Sequence, residues 1–348
     1  MNEFMAVLGI LAILVIAVII IVIFITGDNG NGTVTRNSYG LGTIIHLRAT
    51  GRGAEKAIAE AITRVNDIDD KMSAFKESSE IKRINAKAGS SYEIVSRDTY
   101  DVIEKAVRYS EVLEGAFDPT IRPLVELWNS NGKKNKIPEK EKIAEKMQLI
   151  NYKDIILDKI NYSVKLRKYD QKLDLGGIAK GYAADEVRNI FKKCRVKSGL
   201  IDLGGNIYAL GNKENGSPWT VGIQDPFKSR GNYVMTINVA DKSVVTSGDY
   251  EKYFDIGGNK YHHILDVRTG FPAESEIVSS TIISDNSIDG DGLSTGIFIL
   301  GVEKSLKILE TVDGIDGIFI TKDKKIYATE GIKQLLTITN EEFKLETV

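Results

Sequence analysis

The sequence predicts an α+β protein: a single domain with helices packed on mixed, largely antiparallel sheets, preceded by one transmembrane helix. Three observations carry this. Apolar residues recur with a helical period through much of residues 54 to 114, strand-like runs take over from Gly199, and the two kinds are segregated instead of alternating strictly. The third is the start of the chain. No charge occurs from Phe4 to Gly27, and Ala6 to Ile25 is almost wholly Leu, Ile, Val and Ala, about the 20 residues a helix needs to cross a bilayer.

Composition narrows the possibilities further. A chain of 348 residues with 42% hydrophobic and 27% charged side chains folds into a globular body and is not disordered. Its 46 basic and 48 acidic residues give a formal net charge of -2, which supplies no overall electrostatic footprint for nucleic acid. The only cysteine, Cys194, rules out an intrachain disulfide and a paired-cysteine metal site. With no histidine near it in sequence, it reads as a structural thiol at the end of a helix.

In chain order, residues 1–27 read as a membrane anchor. They lack a small-residue cleavage site, and no cysteine follows that could be lipidated. Glu3 is the only charge before the span and Arg36 the first basic residue after it, so the flanking charges do little to set an orientation. Residues 28–38 read as a Gly/Asn-rich tether, which leaves 39–348 as the catalytic domain. Ser38 to Ala49 has the β-branched character of a strand. Ala54 to Phe75 follows as a helix with Ile58, Ala61, Ile62, Val65, Ile68 and Met72 on one side. A short helix from Ser78 to Asn85, a strand over Tyr92 to Val95 and a helix from Ser96 to Glu114 come next, the last stopped by Gly115. Beyond a polar loop lie a helix to about Leu149 and two hairpin-like strands, Asp154 to Leu157 and Ser163 to Leu166. From Gly199 the runs LIDLGGNIYAL, WTVGIQD, YVMTINV, SVVTSGD, YHHILD and IVSSTIIS read as strands, before a last helix, Val302 to Val312, and the strand GIFIT.

Chemistry gathers in a few stretches. In KLDLGGIAKGYAADE, residues 172 to 186, a strand end, a Gly-Gly turn and a helix over Ile178 to Val187 follow one another, with Lys180 in the helix's first turn. Unpaired N–H groups, the positive dipole end and glycines without a Cβ make such a turn a good seat for a phosphate. An ordinary strand-turn-helix connection with a surface lysine is the plainer reading. In SDNSIDGDGLSTG, residues 284 to 296, Asp289, Asp291, Ser294 and Thr295 stand ahead of an apolar helix from Gly296 to Leu300. They suit either Mg²⁺ or a helix cap. His262 and His263 are adjacent on a strand and point to opposite faces, so only one can serve a given pocket as general base. His46, alone on a strand, reads as satisfied or exposed. Asp118 is either a turn former before Pro119 or a buried acceptor for a ligand's N–H groups.

Seven stretches in order, MSAFKESSEIKRIN, GAFDPTIRPLVELW, KLDLGGIAKGYAADEV, GLIDLGGNIYALG, TSGDYEKYF, YHHILDVRTGFP and DGLSTGIFILG, closely resemble the motifs of the FAD:protein FMN transferase, or ApbE, family. The resemblance covers roughly residues 38 to 335. It implies a membrane-tethered α+β domain on the extracytoplasmic side of the cell membrane. That domain uses Mg²⁺ to cut FAD, releases AMP, and attaches FMN to a threonine or serine of a target protein. By the same resemblance Phe75 stands beside the flavin, and Ala116, Phe117, Asp118, Asp174, Lys180 and Leu265 fall on FAD-binding positions. Gly177, through its carbonyl, and Asp291 and Thr295, through their side chains, fall on metal ligands, and His263 on the histidine that assists transfer. Leu41 departs from the methionine of many members and Ser294 from the second aspartate of some. The implied partners are FAD and an acceptor with an FMN-binding domain or a redox-complex subunit. Two other functions fit the same pocket: a Mg²⁺-dependent FAD pyrophosphatase, and a flavin-binding protein without turnover. Storage needs neither a metal nor a base, so Lys180, His263, Asp291 and Thr295 speak against it.

Overall fold

Nine strands form the central sheet, and their order across it follows their order in the chain. They are β1 (Thr33–Gly40), β2 (Thr43–Thr50), β3 (Ser198–Leu203), β4 (Asn206–Leu210), β5 (Lys242–Gly248), β6 (Ile277–Ser284), β7 (Ile315–Thr321), β8 (Lys325–Ala328) and β9 (Lys344–Leu345). Every neighbouring pair is antiparallel except β8 with β9. The computed structural model describes residues 32–132 and 136–346.

The sheet is covered on both faces, so an inner strand is buried on both sides: all eight residues of β6 are buried, Ser279, Ser280 and Thr281 included. In β6, Ile277 and Ile282 join the core beneath the helices, while Val278 and Ile283 join a second core on the other side. The helical layer holds α1 (Ala54–Met72), α2 (Arg97–Val112), α3 (Ala179–Lys193) and α4 (Ser287–Leu300). The opposite face is covered by a three-stranded sheet of Trp219–Gln224, Tyr233–Val239 and Leu336–Ile338, whose Val221, Ile223, Met235 and Ile237 are buried. A smaller cluster, Leu124, Trp128, Ile143 and Leu265, ties helices Arg122–Gly132 and Lys140–Met147 to the segment after the hairpin Tyr253–Ile256/Asn259–His262. The α+β class and the predominance of antiparallel pairing are as expected from sequence.

Several boundaries differ from that expectation. Residues 33–38 of the expected tether belong to β1, which pairs with β2 along its whole length, so one expected strand is a hairpin. Thr33 to Ser38 is mostly exposed, and without a buried face it shows no apolar alternation. The hairpin turns at Leu41 and Gly42, both with positive φ, 52° and 71°. Helix α1 stops at Met72 because Ser73 is extended, and Phe75 therefore lies in a loop with 71% of its surface exposed. Helix α3 runs six residues past Val187, to Lys193. The polar run Asp289 to Thr295 does not precede a helix but lies within α4. The glycines along this helix permit close packing: a Cβ on Gly292 would fall 2.5 Å from Tyr109 and one on Gly296 2.6 Å from Leu113. The expected membrane anchor, residues 1–27, lies outside the described residues, and among those described no helix is long and apolar enough to cross a membrane.

Candidate functional site

The site lies where the first turn of α3 crosses α4. Gly181 lets the two helices meet, since a Cβ there would stand 2.4 Å from the Ser287 carbonyl and 2.7 Å from the Asp291 Cβ. The crossing sets Lys180 against Asp291, with Nζ 2.9 Å from Oδ1 and 3.3 Å from Oδ2. The same ammonium donates to the Gly176 carbonyl at 3.1 Å, and the Gly181 N–H donates to Asp291 Oδ2 at 2.9 Å. Asp291 is buried, so its charge is balanced at close range by Lys180 and a main-chain donor.

Thr295 follows Asp291 by one helical turn and shares its side of α4. A Cβ on Gly177 would lie 3.9 Å from Thr295 Oγ1 and 3.0 Å from the Phe117 ring, so the second glycine of the turn, Phe117 and Thr295 adjoin. Ser247, near the end of β5, completes this corner: its Oγ lies 2.8 Å from Ser294 Oγ and 3.4 Å from Thr295 Oγ1. The Asp291 carboxylate and the Thr295 hydroxyl, one helical turn apart with Gly177 adjoining, are hard-oxygen donors of the kind that suits a cation such as Mg²⁺, which takes few carboxylates and completes its shell with phosphates and water. No group of three or more His, Cys, Asp or Glu that could hold a metal occurs among the described residues.

From this corner a continuous path leads to the exposed aromatic ring. Asp174 accepts the Gly176 N–H at 2.9 Å through Oδ1 and the Arg122 guanidinium at 3.1 Å through Oδ2. The Arg122 guanidinium lies 4.2 Å from the centroid of the Phe75 ring, in cation–π contact. A charged corner, a glycine turn and a flat apolar surface thus follow one another. That sequence of surfaces suits a dinucleotide with its pyrophosphate at one end and a planar ring at the other.

The strand expected over YHHILD ends at His262, so His263 lies past it and strand alternation does not set the two rings apart, yet their settings differ. His262 donates through Nε2 to the Ala273 carbonyl at 3.1 Å and packs edge-on against Phe298, a structural setting. His263 keeps an exposed edge, but protein crowds round its ring, and it donates to the Lys252 carbonyl through Nδ1 at 3.1 Å. Partial loss of hydration, with Lys252, His262 and Lys180 adding like charge, pushes its pKa down to about 4.

Other expected residues are less free. Asp118 is buried and its carboxylate is engaged locally, accepting from the Thr120 N–H at 2.8 Å, the Thr120 hydroxyl at 2.6 Å and the Tyr152 N–H at 2.8 Å. It thus acts as the turn former. Ala116 is buried beside it, and Leu265 sits in the small apolar cluster with its main chain bridged to Pro272. Asp289 faces away from Asp291, held by Lys105 at 2.8 Å and the Tyr109 hydroxyl. Sequence reasoning singled out neither Arg122 nor Ser247, though both stand inside quoted motifs. A charged residue ahead of Pro123 at a helix start was the available signal for Arg122.

A helix start, a lysine and a hard-oxygen corner converge on this α+β fold, an arrangement suited to phosphoryl-transfer chemistry. The ApbE family profile matches residues 41–319, and the chain belongs to that family. It is 34% identical over 323 residues to the FAD:protein FMN transferase of Treponema pallidum, covering 88% of this chain and 89% of the relative. A Klebsiella pneumoniae protein of the same name is 37% identical over 273 residues, 78% and 84% of the two chains. The crystal structure of the ApbE protein from Thermotoga maritima superposes with a TM-score of 0.81 at 31% identity, over 87% of this chain and 99% of that one.

Proposed function

We propose that this protein transfers the FMN half of FAD to a threonine or serine hydroxyl of an acceptor protein, releasing AMP. The observation that carries this reading is the unbroken line from the Phe75 ring through Arg122, Asp174 and the Gly176–Gly177 turn to Lys180 and Asp291. The family's relatives bear the matching name. In the reaction the acceptor oxygen attacks the FMN phosphorus, the pyrophosphate bond to AMP breaks, and the hydroxyl proton passes to a base.

The residues divide that work. Phe75 offers a face to the flavin ring. The N-terminus of α3 and Lys180 stabilise negative charge on the phosphates and on departing AMP. His263, neutral above about pH 4, is free to take the hydroxyl proton. Asp291, Thr295 and the Gly177 carbonyl would hold Mg²⁺, which supplies charge neutralisation to the pyrophosphate when bound. Lys180, whose ammonium lies at the mouth of the turn on Asp291 and the Gly176 carbonyl, is the cation this chain itself offers to a phosphate oxygen.

The N-terminal apolar stretch is proposed to anchor the protein in the cell membrane with the domain on the extracytoplasmic side. Acceptors would then be FMN-binding domains or redox-complex subunits at that face. The test is to incubate the full chain with FAD and Mg²⁺, with and without such an acceptor, following AMP by chromatography and the acceptor by mass spectrometry. AMP matched by an FMN mass gain supports the transferase. Free FMN and AMP without an adduct would favour the pyrophosphatase, a reading that the solvent exposure of Phe75 and His263 keeps chemically open. Intact bound FAD would point to a flavin-binding protein.

A further inference from the structure

A net charge of -2 conceals one strongly basic face. Three segments meet there. The turn 51–53 joins β2 to α1, and the Gly51 N–H donates to the carbonyl of Gly32 at 3.4 Å, where the chain enters the fold. Gly53 has no room for a Cβ against the Cys194 carbonyl, and the Lys197 N–H donates to Thr50 O at 3.0 Å. The turn, the C-terminal end of α3 and the point of entry therefore form one surface. It carries Arg52, Lys56, Lys192, Lys193, Arg195 and Lys197, all exposed.

This charge is not used up locally. Among the described residues only Lys56 of the six has a carboxylate partner, Glu60 at 3.7 Å. The nearby acids Glu55 and Glu214 are taken by Arg36 at 2.8 Å and Arg48 at 3.2 Å. Lysines at the end of α3 complement its dipole, but Arg52 and Lys56 stand at the start of α1, where a dipole disfavours cations. Helix electrostatics accounts for two of the six at most.

We propose that this face docks the domain on an anionic phospholipid surface. The inference rests on the reading of the N-terminal stretch as a membrane anchor. Only residues 28–32 separate that stretch from β1, and five residues span about 17 Å when fully extended. The point of entry, and the basic surface around it, is thereby kept within reach of the headgroups, where each Lys or Arg is attracted to anionic lipid. Docking also orients the chemistry. Helix α3 has 15 residues and so runs about 22 Å from its basic end to the turn that bears Lys180, which leaves the site clear of the bilayer and open to a protein acceptor.

The test uses the full chain in phosphatidylcholine nanodiscs with and without phosphatidylglycerol. Brief acetylation with an N-hydroxysuccinimide ester, read by mass spectrometry, reports Lys192, Lys193 and Lys197. Lys344, on the opposite edge of the nine-stranded sheet, is the internal control. The expected result is acetylation slowed roughly threefold or more at the three lysines by anionic lipid, with Lys344 unchanged. The double variant Arg52→Glu/Arg195→Glu should abolish most of that protection. Equal rates in the two lipids would overturn the docking and leave the anchor standing. Failure of the chain to associate with either kind of disc would remove the anchor reading and the docking with it.

Discussion

Lys180 illustrates how one side chain can be both structural and chemical. Its ammonium is held by Asp291 and the Gly176 carbonyl, so it closes the α3–α4 corner in the form described and would turn to phosphate on binding. Lys180→Met should lower kcat about 10²–10³-fold with a smaller change in KM, because the charge matters most as AMP departs. A KM effect with kcat intact would move Lys180 from catalysis to binding. His263 yields a pH prediction with a definite sign. A histidine whose pKa is lowered to about 4 is already the neutral, competent base above that value, so kcat/KM should show no limb near 6.5 and should fall only as pH approaches 4. A profile of initial rates from pH 4 to 8 checks this, and a limb at 6.5 that disappears in His263→Gln would refute the shift. At this scale the sequence was informative where a motif has a local mechanism, as in the Gly-Gly turn. Arg122 and Ser247 were hidden because their meaning arises only from partners far away in sequence: Asp174 and Phe75 for one, Ser294 and Thr295 for the other.

Among the elements, α4 shows a cap that no local pattern reveals. Asn286 makes no side-chain cap, and the free N–H groups of Ser287 and Ile288 are instead accepted by Asp185 of α3, at 2.9 and 3.0 Å. The helix carrying Asp291 is thus fastened to the helix carrying Lys180 at two levels, by the Asp185 cap and by the pair itself. Asp185→Ala strands one buried and one part-buried donor and should destabilise the protein by roughly 1–3 kcal/mol, measured from urea unfolding midpoints. Asp185→Asn, which keeps one acceptor, should lose less. Equal losses for the two variants would show that packing at that position, not capping, is what matters. The helical period of α1 was plain from sequence, but its end was not: the extended backbone at Ser73 is a tertiary choice, and it releases Phe75 to the site.

For the molecule as a whole, the nine-stranded sheet separates two cores with different duties. Helices on one face carry Lys180, Asp291 and Thr295, while the three-stranded sheet on the other closes a core that touches none of them. The class was legible because segregated helical and strand periods follow from local pattern. The chain-order arrangement of the strands was not, because insertions as long as that between β2 and β3 carry six α-helices of their own before the sheet resumes. This division makes stability and activity separable by position. Ile237→Ala, in the buried far core, should cost about 2–5 kcal/mol in unfolding free energy yet leave kcat/KM at 25 °C unchanged in the folded protein. Gly181→Ala introduces a Cβ against the Ser287 carbonyl and forces α3 from α4, so it should both destabilise by roughly 1–3 kcal/mol and lower kcat/KM at least about tenfold. Thermal unfolding and initial rates on the two variants decide the matter. If Ile237→Ala reduced turnover as much as Gly181→Ala, the far core would be coupled to the site through the sheet, and the separation of duties would be wrong.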